Sequence, residues 1–205
     1  IKDDNELSKY YNDNLTIDSN VIRASIINRI PKFFYASSAH VYPIELQNNK
    51  DETHLIKEEE AYPANPLLTY GWAKLISEQQ LINAATEFDD VSIAIARYIG
   101  IYGPNQDYGL QTGSVIPVFS HAIDCTKLMI EKMEDTKVVG PYNVGSSDII
   151  KIKDIAKKIV TISEKEIDLQ FDLSQKAKII SQWCDCSKIY ADLGWKTTTK
   201  IEDWI

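Results

Sequence analysis

The chain has 205 residues, 44% hydrophobic and 25% charged, with a formal net charge of −8. That is globular composition, enough for one sizeable core or one core with a small appendage. The acidic balance argues against nucleic acid or an anionic membrane as partner, and no apolar run or charged-then-apolar leader predicts a membrane span or signal peptide.

The cysteines, Cys125, Cys184 and Cys186, are odd in number. Cys-Asp-Cys lacks the partners of a zinc site, so free thiols in a reducing cytoplasm are expected. His40, His54 and His121 are scattered without metal-ligand spacing, and no metal is expected.

In chain order, residues 8–29 place Leu15, Ile17, Val21, Ile22, Ile26 and Ile27 mostly at helical spacing. Pro31 ends this helix, and Lys32 leads into a short strand, Phe33-Phe34-Tyr35. A strand apolar on both sides is buried on both faces, as in a parallel sheet. Residues 44–65 are polar and acidic and read as a surface loop. Pro66 opens the next helix at the favoured first-turn position. Its apolar face runs through Leu68, Trp72, Leu75, Ile76 and Leu81 to about Phe88.

Val91–Ala96 is a second buried strand, and 103–113 is loop. A helical stretch follows to about Met133, then a short strand at Tyr142–Val144. A helix at 151–162 carries Ile152, Ile155, Ile159 and Val160. A short strand near Ile167–Phe171 and a last helix around Ser187–Leu193 complete the reading. Helix and strand alternate, which predicts an α/β fold with a parallel sheet.

The chemistry concentrates in two places. The first strand runs into Ser37, Ser38 and His40. A core has little use for three polar side chains there, whereas a reactive floor does. Downstream, "TYGWAK" sets Tyr70 and Lys74 four apart on one helix face, where side chains meet. A nearby ammonium favours phenolate and is expected to lower the phenol's pKa from about 10, suiting it to acid–base work. About one such pair is expected by chance in a chain of this composition, so spacing alone carries nothing. Context carries it: the C-terminal ends of parallel strands line ligand crevices, so Ser38 and Tyr70 can share one site.

"FFYASSAHVYP", "AYPANPLLTYGWAKLISEQQL", "RYIGIYGP" and "YNVGSS" together resemble the extended short-chain dehydrogenase/reductases, the NAD-dependent epimerases and dehydratases of nucleotide sugars. Within that family the likeness is nearest to the GDP-mannose 3,5-epimerases. It runs from about Tyr11, through Asn14, Asn20 and Val21, to "WCDCSKI" and "LGWKTTTKIEDWI". The resemblance implies a partial Rossmann-like sheet flanked by helices. Residues 1–102 would be the remainder of an NAD-binding domain and 103–205 mainly a substrate-binding portion, with the strand near 142–144 returning to the sheet.

The resemblance also implies roles. Ser38 hydrogen-bonds the sugar hydroxyl being oxidised. Tyr70 takes its proton. Lys74 holds the nicotinamide ribose, with Ala36 and Ser37 beside the cofactor. His40 stands where related enzymes place a second acid/base, and histidine titrates near 6.5. Gly100, Lys176 and Lys178 fall where substrate is bound. The implied cofactor is NAD, the substrate a nucleotide-diphosphate sugar, and the assembly a homodimer through the helices at 8–29 and 66–88.

Four features depart from the pattern. No Gly-x-x-Gly-x-x-Gly turn is present, so the chain is expected to begin after the Gly-rich βαβ part. About 20 residues are skipped between "FSHAI" and "DCTKLMIE". "QTGSVIP" carries no lysine where 3,5-epimerases have one, and Gly100 replaces an asparagine. The expected function is epimerisation through transient oxidation at C4 and proton exchange on a neighbouring carbon. The alternatives are a 4,6-dehydratase, a simple 4-epimerase in which His40 only binds, or a non-catalytic binding member of the family.

Overall fold

The computed structural model describes residues 4–49, 54–99, 122–145, 151–170 and 183–197. Three parallel strands, β1 (Lys32–Ser38), β2 (Ser92–Tyr98) and β3 (Val138–Val144), form a sheet in the order β1-β2-β3. The helices are α1 (Asp4–Ile27), α2 (Ile44–Gln47), α3 (Thr69–Glu87), α4 (Ala122–Lys132), α5 (Ile152–Ser163) and α6 (Ser187–Leu193). Two 3-10 turns lie at Ala39–Val41 and Glu58–Ala61. β3 pairs in parallel with β2. The domain boundary expected at 102/103 lies outside the described residues.

Side-chain alternation along β2 divides the core. Ile93 and Ile95 join Tyr35 of β1, Ile22 of α1, and Leu81 and Ala85 of α3. Ala94 and Ala96 join Val139 and Val144 of β3, Cys125 and Met129 of α4, and Ile189 of α6. Helices thus cover both faces, which is why β2 reads as an unbroken apolar run. In register, Ser38 lies beside Tyr98 and Tyr98 beside Val144. The strands end level, and the chain leaves β1 at that end on Ser38.

The structure corrects three expectations. Residues 44–65 are not a surface loop. They contain α2 and a 3-10 turn, and Gln47, Ile56, Glu58 and Ala61 are buried. Ile56 bridges to Cys184, with backbone bonds to Trp183 and Asp185 at 2.8 Å each. Pro66 does not open α3, which begins at Thr69 after the extended residue Leu68. Pro66 is buried instead against Gly71. Residues 167–170 are irregular rather than a strand, and Phe171 lies outside the described residues. On α1, Ile22 is buried, but Ile17, Val21 and Ile27 are exposed, so the helix turns only part of its apolar surface inward.

A polar network sits inside this apolar frame. Arg97, at the end of β2, is 3% exposed, and Glu78 of α3 is 2% exposed. The guanidinium donates to Glu78 through Nε at 3.0 Å and Nη2 at 2.7 Å. Its Nη1 donates to the Glu58 carbonyl at 2.8 Å and the Tyr42 hydroxyl at 3.3 Å. Burial works against the charged guanidinium. The hydrogen bonds and charge of Glu78 outweigh it, so Arg97 is held above its ordinary value.

Ser37 donates to Glu78, and Tyr42 to the Asn143 side chain. Asn143 donates its side-chain amide to the carbonyls of Ile56 and Asp185, at 2.9 and 3.0 Å. Its backbone N–H donates to Glu58 at 2.8 Å. One network therefore ties α3, all three strands, the 58–61 turn and the segment before α6. Glu78→Ala leaves Arg97 buried without its counter-charge and is expected to cost about 3–5 kcal/mol in denaturant unfolding. A loss below about 1 kcal/mol would show that the network is not what joins these elements.

Candidate active site

The site is built where β1 ends against the first turns of α3. Ser38 is extended (φ −148°, ψ 152°) and caps the 3-10 turn that follows. Its Oγ accepts from the His40 backbone N–H at 3.2 Å. The same Oγ lies 3.0 Å from His40 Nδ1. Capping therefore brings serine and imidazole together, and the turn carries His40 over α3.

Gly71 permits the approach. A Cβ there would lie 2.1 Å from the His40 carbonyl oxygen. The glycine of "TYGWAK" is thus what lets the turn rest on the helix. His40 and Tyr70 then meet edge-on, with ring centroids 5.7 Å apart.

Tyr70 is 36% exposed. Burial raises its pKa above the ordinary value. Contact with the Ser38 hydroxyl pulls the other way, and the charge of Asp18 pushes it further up. The expected lowering by Lys74 is therefore absent. The reason is geometric: the ammonium lies 3.5 Å from the Asp18 carboxylate, over the Tyr35 ring at 4.7 Å, and 5.8 Å from the Tyr70 ring centroid. Burial lowers the pKa of His40, which keeps the imidazole neutral at neutral pH.

The residues singled out in the sequence separate into groups. Ser38, His40, Tyr70 and Lys74 come together. Ala36 is the one exposed residue of β1, whereas Ser37 is buried on Glu78. Gly100, Lys176 and Lys178 lie outside the described residues. The sequence reading missed Asp18, Glu78, Arg97 and Asn143. Spacing held a signal for two of them. Glu78 continues the Tyr70, Lys74 face by four more residues, and Asp18 precedes the buried Ile22 by one helical turn.

A model of the NAD-dependent epimerase/dehydratase family matches residues 2–170. The chain belongs to that family. GDP-mannose 3,5-epimerase 1 of Oryza sativa subsp. indica is 26% identical over 218 residues, covering 93% of this chain and 55% of the rice protein. UDP-glucose 4-epimerase of Bacillus subtilis is 24% identical, covering 95% of this chain and 66% of its own length. The chain thus spans between about half and two thirds of these relatives.

Among solved structures, UDP-glucose 4-epimerase of Thermotoga maritima with UDP-glucose superposes with a TM-score of 0.77 at 20% identity. It covers 97% of this chain and 69% of that one. UDP-glucuronic acid 4-epimerase of Bacillus cereus, in complex with UDP-glucuronic acid and NAD, gives 0.68 at 22% identity, covering 93% and 64%. These likenesses show the Rossmann-like fold.

The family's cofactor is NAD. The described residues fit its nicotinamide-ribose end. Lys74 and Tyr70 supply a cation and a hydroxyl beside the C-terminal end of a parallel strand, and exposed Ala36 leaves that end open. No helix among the described residues is long and apolar enough to cross a membrane. Gly71→Ala is expected to force the 39–41 turn off α3 and cost at least about 2 kcal/mol in denaturant unfolding. An unchanged unfolding midpoint would show that the turn does not rest on the helix.

Proposed function

We propose that the protein is an NAD-dependent nucleotide-sugar epimerase in which Ser38, His40 and Tyr70 act on one sugar ring. The observation that carries this reading is the cluster itself: a serine hydroxyl 3.0 Å from an imidazole nitrogen, with that ring edge-on to a half-open phenol at the strand ends.

NAD, when bound, supplies a reversible hydride acceptor. The chain's own groups manage the protons. Ser38 hydrogen-bonds the C4 hydroxyl and orients it toward Tyr70. Tyr70 in its phenolate form takes that hydroxyl proton as C4 becomes a ketone, and returns it when C4 is reduced. Lys74 holds the ribose. A C4 ketone acidifies the neighbouring C–H bond. Neutral His40 removes that proton, and solvent water protonates the resulting enolate on the opposite face, inverting the carbon.

A second reading has its own support. His40 Nδ1 already faces Ser38 Oγ, which suits an imidazole that only orients substrate, as in a simple 4-epimerase. Full-length protein incubated with NAD and GDP-, UDP- and dTDP-sugars in D2O separates the two. Deuterium on carbon, abolished by His40→Ala, supports the first reading. Exchange that survives that change removes His40 as the base. Epimerisation without carbon-bound deuterium selects the second. Net elimination of water points to a 4,6-dehydratase, and no turnover with retained sugar binding points to a non-catalytic role.

We also propose that the protein is a homodimer. Ile17 and Val21 stand four apart on α1, 60% and 49% exposed, and Trp72 of α3 is 37% exposed. Exposed apolar side chains on these two helices are what a contact face would use. Sedimentation should give a dimer that Ile17→Asp with Val21→Asp converts to monomer. A wild-type monomer at micromolar concentration excludes the proposal.

A further inference from the structure

Asp18 has no part in the proton transfers proposed above, yet it is placed among the residues that carry them. It comes from α1, and its side chain is 16% exposed. One carboxylate oxygen, Oδ2, gathers three partners. The Tyr35 hydroxyl of β1 donates to it at 2.5 Å, the Ser77 hydroxyl of α3 at 3.2 Å, and the Lys74 ammonium of α3 at 3.5 Å.

Each partner is itself fixed. Tyr35 is buried in the sheet core. Ser77 is buried and shares its hydroxyl with the Ala73 carbonyl at 3.0 Å. Lys74 is confined over the Tyr35 ring, so the ammonium is held between a π face and a carboxylate. A structural clasp joining α1 to α3 could have used any hydrogen-bonding pair. A carboxylate here has a second effect, because it opposes the Lys74 cation beside Tyr70.

We propose that Asp18 is a positioning residue for the reaction assigned above: its carboxylate fixes the Lys74 ammonium and offsets its charge, and so holds the proton on Tyr70. The inference rests on that functional reading for its meaning, though not for its measurement. The charged and titratable groups around the phenol come from every adjoining element: Asp18 from α1, Ser38 and Tyr35 from β1, His40 from the following turn, and Lys74 from α3. Glu78 of α3 lies within electrostatic reach of Tyr35. Asp18 and Lys74 form an opposed pair beside the phenol. His40 is neutral, and Glu78 is paired with Arg97.

The sign follows directly. Asp18→Asn keeps an acceptor for Tyr35 and Ser77 and removes the negative charge. Lys74 is then uncompensated, phenolate is favoured, and Tyr70 gives up its proton at lower pH.

The test is a titration of full-length protein carrying 13Cζ-labelled tyrosine, with the Tyr70 resonance assigned by its loss in Tyr70→Phe. In Asp18→Asn the Tyr70 midpoint should fall by roughly one pH unit. In Lys74→Met it should rise, which establishes that the resonance reports this charge pair. The acid limb of the epimerisation pH profile should shift down with Asp18→Asn, a change that a purely structural clasp would not produce.

If Asp18→Asn fails to fold, Asp18→Ser, which keeps a hydroxyl without the charge, carries the same test. An unmoved Tyr70 midpoint in a folded Asp18 variant, with the Lys74→Met rise intact, overturns the inference. A shifted midpoint in a protein that turns over no nucleotide sugar leaves the inference standing and removes the functional reading.

Discussion

The buried ion pair between Arg97 and Glu78 is the constraint on which the site depends. A guanidinium inside a protein is tolerated only when its N–H groups are satisfied and its charge is met. Here Glu78 takes two of the donors, and the Glu58 carbonyl and the Tyr42 hydroxyl take another. Because those partners belong to different segments, the requirement fixes where α3, the 58–61 turn and residue 42 stand relative to the end of β2. Ser37 donates to the same carboxylate, so the last residues of β1 are pinned to α3 from below. Residue 38 and its successors are then presented to α3 from above. Apolar packing alone would leave α3 free to slide along the sheet, and buried polar networks are less forgiving.

On that base, small local choices set the chemistry. Ser38 serves both as a cap for the turn and as a hydroxyl beside imidazole. Gly71 removes the one side chain that would separate turn and helix. His40 is neutral because it is half-buried, and Tyr70 keeps its proton because it is partly buried and faces the field of Asp18. A simple tyrosine–lysine pair would bias toward phenolate. The Asp18, Lys74, Tyr35 arrangement restrains that bias, so the cation's effect on the phenol depends on how closely the carboxylate holds it.

Much of this was legible in the sequence, for identifiable reasons. β1, β2 and α6 stood out because apolar runs and helical spacing coincide with burial. α6 matched its expected limits at Ser187 and Leu193. Ser38, His40, Tyr70 and Lys74 were legible because polar residues at a strand end and a motif at a helix start both point to one edge of a parallel sheet. Residues 44–65 were misread because their composition is acidic, while the structure buries Glu58 on the Asn143 backbone. Pro66 was misread because proline suits a first turn as well as the extended approach to one. Glu78, Arg97 and Asp18 were overlooked because charged residues on helices and strand ends are ordinarily solvated. Only the contact between distant segments shows that these are not. The pKa of Tyr70 was misjudged for the same reason, since Asp18 is 52 positions away and sequence spacing cannot place it beside Lys74.

The central claim is that one sugar ring meets serine, phenol and imidazole together. A crystal structure of the full-length protein with NAD and the nucleotide sugar it turns over tests this most directly. The account predicts Ser38 and Tyr70 hydroxyls within about 3 Å of the same sugar oxygen, with the His40 ring facing the adjacent carbon. A sugar bound with His40 turned away from the ring, or with Tyr70 and Ser38 on different hydroxyls, would contradict it.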